Sequence, residues 1–394
     1  MTLLVKKINL AVVINNRANY ARMKSFLKIA NKDKKIKIYL ILAASSLIDK
    51  FGELEKFIKK DGIKIYKKIF TVIAGDKPVT MAKTTALEIS ELANVFENSR
   101  PDYVFAIADR FETLAVAVAA SYMNIPLLHL QGGEVTGTID ESVRHAISKF
   151  ANVHFPATLN AKKNLIKMGE DPKTVFYVGC PSIDIAKSIK NKKSNAYNIL
   201  NKYKFSNPNN LNLKDIKNYI IVVQHPVTTE YEKTSFQINQ TINAISKLGI
   251  HTIWLWPNVD SGSDIISKEL RKARENNKLN KTIFIKNLET EDFLKLLNNS
   301  KCIVGNSSVG IRESSYLGTP SVNIGTRQNK RERGNNTIQC GIDWREILRS
   351  IKIQVKKGRY MSSKIYGNGN SGKKILNHIL KLKIRSTQKK LFYG

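Results

Sequence analysis

The sequence predicts an α/β protein built from two Rossmann-like domains in series. Short β-branched or apolar runs alternate with segments of helical spacing, the pattern of a buried parallel sheet flanked by helices. A polar, Asn- and Lys-rich stretch over 188–218 interrupts the alternation, which then resumes. At 394 residues the chain is also too long for one ordinary core.

Residues 8–14 read as the first strand, followed by a helix over 22–31 with Met23, Phe26, Leu27 and Ala30 on one face. Strands follow at 37–42, 103–107, 126–130, 153–155 and 175–178, with helices at 88–98 and 112–120. The second set has strands at 219–223, 251–256, 282–285, 302–304 and 321–324, with helices at 236–248 and 290–298. Residues 373–390 place Lys and Arg between Ile375, Leu376, Ile379, Leu380 and Leu382, a basic amphipathic helix suited to packing at a terminus. The expected divisions are 1–187, 188–365 and 366–394.

Composition narrows the class. Hydrophobic residues make up 42% and charged residues 25%, ordinary for a soluble globular protein. No apolar run approaches the roughly 18 residues of a membrane helix. The N-terminus leads into a strand without the residue order of a signal peptide. Cys180, Cys302 and Cys340 are isolated and match neither a metal pattern nor a disulfide framework. A cytoplasmic protein with no metal and no stable membrane insertion is expected. The net charge of +33 fits nucleic acid or an anionic membrane. Yet Lys is scattered over many helix faces, and no zinc finger, RNA-recognition signature or recognition helix occurs. The expected partner is a small anionic substrate, not nucleic acid.

Ligands of such sheets bind beyond the carboxyl ends of the strands, and the chemistry-bearing residues cluster there. Asp109, with Arg110 and Glu112, follows an apolar strand; it serves as a catalytic acid or as a helix cap. Glu134 follows Gln131-Gly132-Gly133, where glycines let backbone approach a ligand. Asp140 and Glu141 open a helical pattern that places Arg144 on their face, with His145 next. Carboxylates crowded around an arginine acquire different proton affinities, so one acts as base and another as acid. His225, in Gln-His-Pro after a strand, suits a diphosphate leaving group or a proton shuttle. His129 and His378 read as structural. Ser307 and Ser308, after Gly305-Asn306, make an anion-binding turn that opens a helix, and Glu313 lies within that helix to accept from ribose hydroxyls. Arg327 follows the next strand, Asn258 another strand end, and Arg17 the first. Neither a Gly-x-Gly-x-x-Gly fingerprint nor a Walker loop is present, which argues against bound NAD and against ATP hydrolysis. Together the two clusters predict a cleft with nucleotide on one wall and carboxylates on the other.

Seven segments jointly resemble the UDP-N-acetylglucosamine 2-epimerase family: Asn-Arg-Ala-Asn-Tyr at 16–20, Ala-Asp-Arg-Phe-Glu-Thr at 108–113, the Gly-Gly-Glu to Arg-His run at 132–145, Lys-Met-Gly-Glu-Asp-Pro at 167–172, Gln-His-Pro-Val-Thr-Thr-Glu at 224–230, Gly-Asn-Ser-Ser at 305–308 with Glu313, and Tyr-Gly-Asn-Gly-Asn-Ser at 366–371. The likeness is nearest to the hydrolysing branch that feeds sialic-acid-type sugars. It implies a GT-B fold with a deep interdomain cleft, a final helix crossing back to the first domain, a homodimer and no redox cofactor. It implies C2 proton abstraction, elimination of UDP to a 2-acetamidoglucal, and hydration to free N-acetylmannosamine. The catalytic residues implied are Asp109, Glu134, Asp140, Glu141 and His225. Arg17, Ser307, Ser308 and Glu313 take the nucleotide, with Arg144, Asn258 and Arg327 read beside them. UDP-N-acetylglucosamine is the expected substrate. A UDP-2,4-diacetamido-2,4,6-trideoxy sugar on the legionaminic acid route is the alternative, followed by a non-hydrolysing epimerase and a GT-B glycosyltransferase. The chain departs from the family with Asn15-Asn16-Arg17 where many members carry Gly-Thr-Arg, and with Ala108 where they carry glycine.

Overall fold

The computed structural model describes residues 7–48, 54–75, 77–137, 139–192, 194–203, 205–207, 210–257 and 260–383. The chain divides into two compact units. The first takes the described residues up to Val135, then Ile139–Asp184, and those from Tyr366 onward; the second holds Ile185–Ile365.

The first unit carries strands β1 (Ile8–Ile14), β2 (Ile36–Ala43), β3 (Ile65–Ile69), β4 (Tyr103–Ile107), β5 (Leu127–Leu130) and β6 (Val153–Phe155). Its helices are α1 (Arg17–Ala30), α2 (Leu54–Lys60), α3 (Pro78–Ser99), α4 (Phe111–Tyr122), α5 (Ile139–Phe150), α6 (Leu159–Lys167) and the start of α7 (Pro181–Ile189). The sheet is parallel throughout, in the order β3-β2-β1-β4-β5-β6. Alternate strand residues feed two cores. Leu10, Val12, Ile14, Phe105 and Leu128 pack on one face, and Ala11, Val13, Val104, Ala106 and Leu127 on the other. This two-sided burial explains the unbroken apolar runs.

The second unit carries α8 (Ala196–Leu200), β7 (Phe205–Ser206), β8 (Tyr219–Val223), α9 (Thr234–Ser246), β9 (His251–Leu255), α10 (Ser263–Glu275), β10 (Thr282–Ile285), α11 (Thr290–Asn299), β11 (Cys302–Gly305), α12 (Glu313–Leu317), β12 (Ser321–Ile324), β13 (Thr337–Cys340) and α13 (Trp344–Lys357). The order is β13-β12-β11-β8-β9-β10-β7, parallel except for the edge strand β7, which runs antiparallel to β10. Each unit is thus a doubly wound sheet. Strand order reverses between β1 and β4 in the first and between β8 and β11 in the second, and a doubly wound sheet binds its ligands at that reversal.

Some expectations need correction. Residues 175–178 form no strand; a lone bridge joins Val175 to His154. The ladder fails because β6 is followed by Pro156, which has a carbonyl to offer but no N–H. Within the polar stretch 188–218, Ala196, Ile199, Leu200 and Ile216 pack into the second unit's core. The basic terminal helix α14 spans Ser371–Ile379, and residues 384–390 of the expected helix lie outside the described residues.

Helix α14 belongs to the first unit, where Ile375, Leu376 and Ile379 join the core that also holds Phe26 and Leu27 of α1. Asp184 secures its first turn. Its carboxylate accepts from Ser371 N (2.8 Å), Gly372 N (2.7 Å) and the Ser25 hydroxyl (3.0 Å). A carboxylate at a helix N-terminus satisfies amides that have no intrahelical partner. Asp184→Ala is expected to cost about 2 kcal/mol in urea unfolding and to raise hydrogen exchange at the α14 amides first.

Candidate active site

In the first unit one guanidinium gathers the carboxyl-bearing segments. Arg144 sits on the inner face of α5 with its side chain 1% exposed. It pairs with Asp109 at the end of β4, through Nη2 and through Nε at 3.0 Å. Its Nη1 donates to the Glu134 carbonyl at 2.5 Å, holding the turn after β5. Burial alone would lower the Arg144 pKa, but the charges of Asp109, Glu134 and Asp140, with the Asp109 hydrogen bond, raise it above its ordinary value. The sequence pattern paired Arg144 with Asp140 and Glu141. The inward face of α5 lets it reach further, to residues of two other strand ends. Glu141 instead lies 3.6 Å from His145 one turn along. Asp140 and Glu141 occupy the first turn of α5, both half-buried.

Asp109 is not a helix cap. The cap position of α4 falls on Arg110, which makes no side-chain capping bond; its guanidinium instead grips Glu112 at 3.0 and 3.1 Å. Arg17 is the first residue of α1, capped by Asn16, whose side chain accepts from Asn19 N at 2.9 Å. Burial pulls the Arg17 pKa down to about 10. Asn19 ties the sheet reversal together, accepting from Asn15 N (3.2 Å) and donating to Ile107 O (3.2 Å).

Beneath this cluster lies His129, fully buried on β5. Burial lowers its pKa to about 3, so it is neutral, with Nε2 donating to Ala108 O at 2.9 Å. Its Nδ1 lies 3.1 Å from the Ser148 hydroxyl, which is also 3.0 Å from Arg144 O; one hydroxyl proton serves one of them at a time. His129 is structural in the sense that it holds the Ala108 turn. His378 stacks on Phe176 at 4.2 Å.

In the second unit the organiser is Asn306, which the sequence reading passed over. Its side chain accepts from His225 N and donates to His225 O, both at 2.8 Å, locking the ends of β8 and β11 together. Arg327 and Gln328 both donate to the Asn306 carbonyl at 3.2 Å. The approach requires Gly305: a Cβ there would lie 2.1 Å from Val223 O. His225 is buried, and Ser307 and Ser308 are half-buried. The turn they begin is a short 3-10 segment, Ser308–Gly310, rather than a long helix. Glu313 opens α12, and its Oε2 is buried with no hydrogen-bond partner. Asn258 lies outside the described residues.

Residues 28–380 match the UDP-N-acetylglucosamine 2-epimerase family. The chain belongs to that family. It is a sugar-nucleotide 2-epimerase. It is 33% identical to the hydrolysing UDP-N,N′-diacetylbacillosamine 2-epimerase of Legionella pneumophila, over 92% of this chain and 93% of the relative. It is also 33% identical to the hydrolysing GDP/UDP-N,N′-diacetylbacillosamine 2-epimerase of Campylobacter jejuni, over 86% of each. The crystal structure of the Neisseria meningitidis UDP-GlcNAc 2-epimerase bound to UDP-GlcNAc superposes with a TM-score of 0.75 at 19% identity, covering 95% of this chain and 100% of that one. The fold of this epimerase is accordingly α/β and GT-B-like, with two Rossmann-like units.

The epimerase carries strain beside Asp109. Ala108 has φ +64° and Gln131 φ +68°, left-handed values that cost a residue with a Cβ about 1–2 kcal/mol. Ala108→Gly removes that cost and adds some chain entropy to the unfolded state, so it is expected to stabilise by about 0.5–1 kcal/mol, read from the urea midpoint.

Proposed function

We propose that the protein is a hydrolysing 2-epimerase whose substrate is a UDP-linked 2,4-diacetamido-2,4,6-trideoxyhexose. The observation that supports the reaction is the gathering of Asp109, Glu134 and Asp140 around the buried Arg144. Carboxyls in one field at unequal distances from a cation differ in proton affinity, as an acid/base pair requires. The substrate reading rests on the two relatives at 33% identity, both named for diacetylbacillosamine nucleotides. It replaces UDP-N-acetylglucosamine as the leading expectation.

In this reading one carboxylate takes the C2 proton. The C1–O bond breaks, UDP leaves with the electron pair, and a C1=C2 double bond remains. Water then adds its hydroxyl at C1 while a second carboxyl returns a proton to the opposite face of C2. The sum is sugar nucleotide plus water to UDP and the free C2-inverted sugar. We assign Asp109, Glu134, Asp140 and Glu141 to the proton transfers. His225 is assigned to the departing diphosphate, with Arg17, Arg144, Asn258, Ser307, Ser308 and Arg327 contributing to binding. The unpartnered Glu313 oxygen supports the ribose assignment. A homodimer in a reducing compartment completes the proposal; the three cysteines are buried and none is in a disulfide among the described residues.

Proton NMR in deuterated water, with the diacetamido sugar nucleotide and with UDP-N-acetylglucosamine in parallel, tests it. Free UDP and C2-deuterated product from the diacetamido substrate are expected. Faster release from UDP-N-acetylglucosamine would overturn the substrate, and turnover without free UDP would overturn the hydrolysis. Asp109→Asn should lower kcat by at least about 100-fold in protein that circular dichroism shows to be folded, with a lower urea midpoint because it also takes the counter-charge from the buried Arg144. Glu313→Ala should raise KM about tenfold with little change in kcat; an unchanged KM removes Glu313 from the ribose site.

A further inference from the structure

Of the segment Gln-His-Pro-Val-Thr-Thr-Glu after β8, the proposed reaction uses His225 and leaves the last residue, Glu230, without a part. Glu230 lies in a short 3-10 segment, Thr228–Lys233, whose helical turn breaks at this residue (φ −125°, ψ 34°). Its half-buried carboxylate accepts from two neutral donors. The side-chain amide of Gln237, buried on α9, donates to Oε2 at 2.5 Å, and the Thr326 hydroxyl donates to Oε1. Thr326 directly precedes Arg327 in the loop after β12. Arg327 donates to the Asn306 carbonyl at 3.2 Å, and Asn306 in turn holds the His225 backbone. His225, Asn306, Arg327, Thr326 and Glu230 thus close a ring through the ends of β8, β11 and β12. β8 and β12 are not neighbours in the sheet, because β11 lies between them, so Glu230 joins what the ladder leaves apart. The loop after β12 is also braced from within: Arg333 donates to the Gln328 and Asn329 carbonyls and to the Gln339 side chain. A braced loop moves as one piece, so a tie at Thr326 sets the place of Arg327.

We propose that Glu230 is a positioning residue for nucleotide binding: anchored by Gln237 of α9, its carboxylate holds Thr326 and so fixes the Arg327 guanidinium for the diphosphate. One N–H group of Arg327 goes to Asn306 and a guanidinium has five, so donors remain for phosphate oxygens. Holding those donors in one arrangement before the ligand arrives removes an ordering cost from binding. The charge of Glu230 works the other way, because a carboxylate near a diphosphate repels it. Geometry and charge therefore predict opposite effects of removing the side chain. The inference rests on the nucleotide reading above and adds a residue to that site.

Calorimetric titration with UDP, which requires no turnover, tests it. Glu230→Ala should raise the Kd for UDP about fivefold in protein that circular dichroism shows to be folded. Glu230→Gln should stay within about twofold of wild type, because its amide oxygen accepts from Gln237 and its NH2 group donates to the Thr326 hydroxyl. Thr326→Val, which cuts the tie from the other side, should match Glu230→Ala. In an Arg327→Met background Glu230→Ala should add less than about twofold, since Arg327 carries the effect. Tighter UDP binding in both Glu230 variants would mean that charge outweighs geometry, and would overturn the proposal. An unchanged Kd in Glu230→Ala, or an undiminished loss on top of Arg327→Met, would overturn it as well. If the wild type binds no UDP, the nucleotide reading fails and this inference fails with it. If UDP binds but neither sugar nucleotide is turned over, the reaction proposed above fails while the titrations still decide the role of Glu230.

Discussion

The arrangement of the first unit depends on one buried cation. Arg144 is taken out of water, which costs several kcal/mol unless anions and acceptors replace the lost hydration. Asp109 and the Glu134 carbonyl supply that replacement. The debt runs both ways, because Asp109 is itself only 13% exposed and needs the guanidinium. The end of β4, 35 residues before Arg144, and the turn between β5 and α5, ten residues before it, are therefore held to one point. The left-handed Ala108 and Gln131 are the backbone's cost of turning sharply enough to meet there.

The second unit solves the same joining problem with a neutral group. Asn306 donates and accepts across β8 and β11 with one side-chain amide, while Gly305 supplies the space. A neutral tie leaves the charge beside the joint to Arg327, which donates to the Asn306 carbonyl. The first unit concentrates charge at its joint and the second keeps charge beside it, which matches the different chemistry proposed for each.

Much of this was legible in the sequence because buried parallel strands announce themselves. Each central strand appears as a continuous apolar run, and in a doubly wound sheet the strand's carboxyl end is where ligands bind. The apolar edge strand β6 was legible, but three other edge strands were not: β3 contains Lys67 and Lys68, β13 is partly exposed, and β7 has two residues. Asp109, Glu134, His225 and Glu313 were visible as polar residues in unusual places. Their connections were not. That Arg144 would bypass its own helix for Asp109 depends on which face of α5 is buried. That Asn306 outranks its serine neighbours depends on the distance between two strand ends. The connections of Glu230 were hidden because a glutamate in a polar run after a strand reads as solvent-facing, and only the fold brings it to Gln237 and Thr326.

The return of the chain from the second unit to the first carries a consequence for synthesis. Cys180 N bonds to Tyr366 O, and α14 fills the core beside α1. The first unit therefore contains both the earliest and the latest parts of the described polypeptide. On the ribosome its sheet can pair early, but one flank stays bare until about two hundred further residues have emerged. The nascent chain must spend that interval with Phe26, Leu27 and their neighbours uncovered, so translation pauses within the second unit would lengthen the time in which a chaperone, or another copy of the chain, can occupy the place reserved for α14.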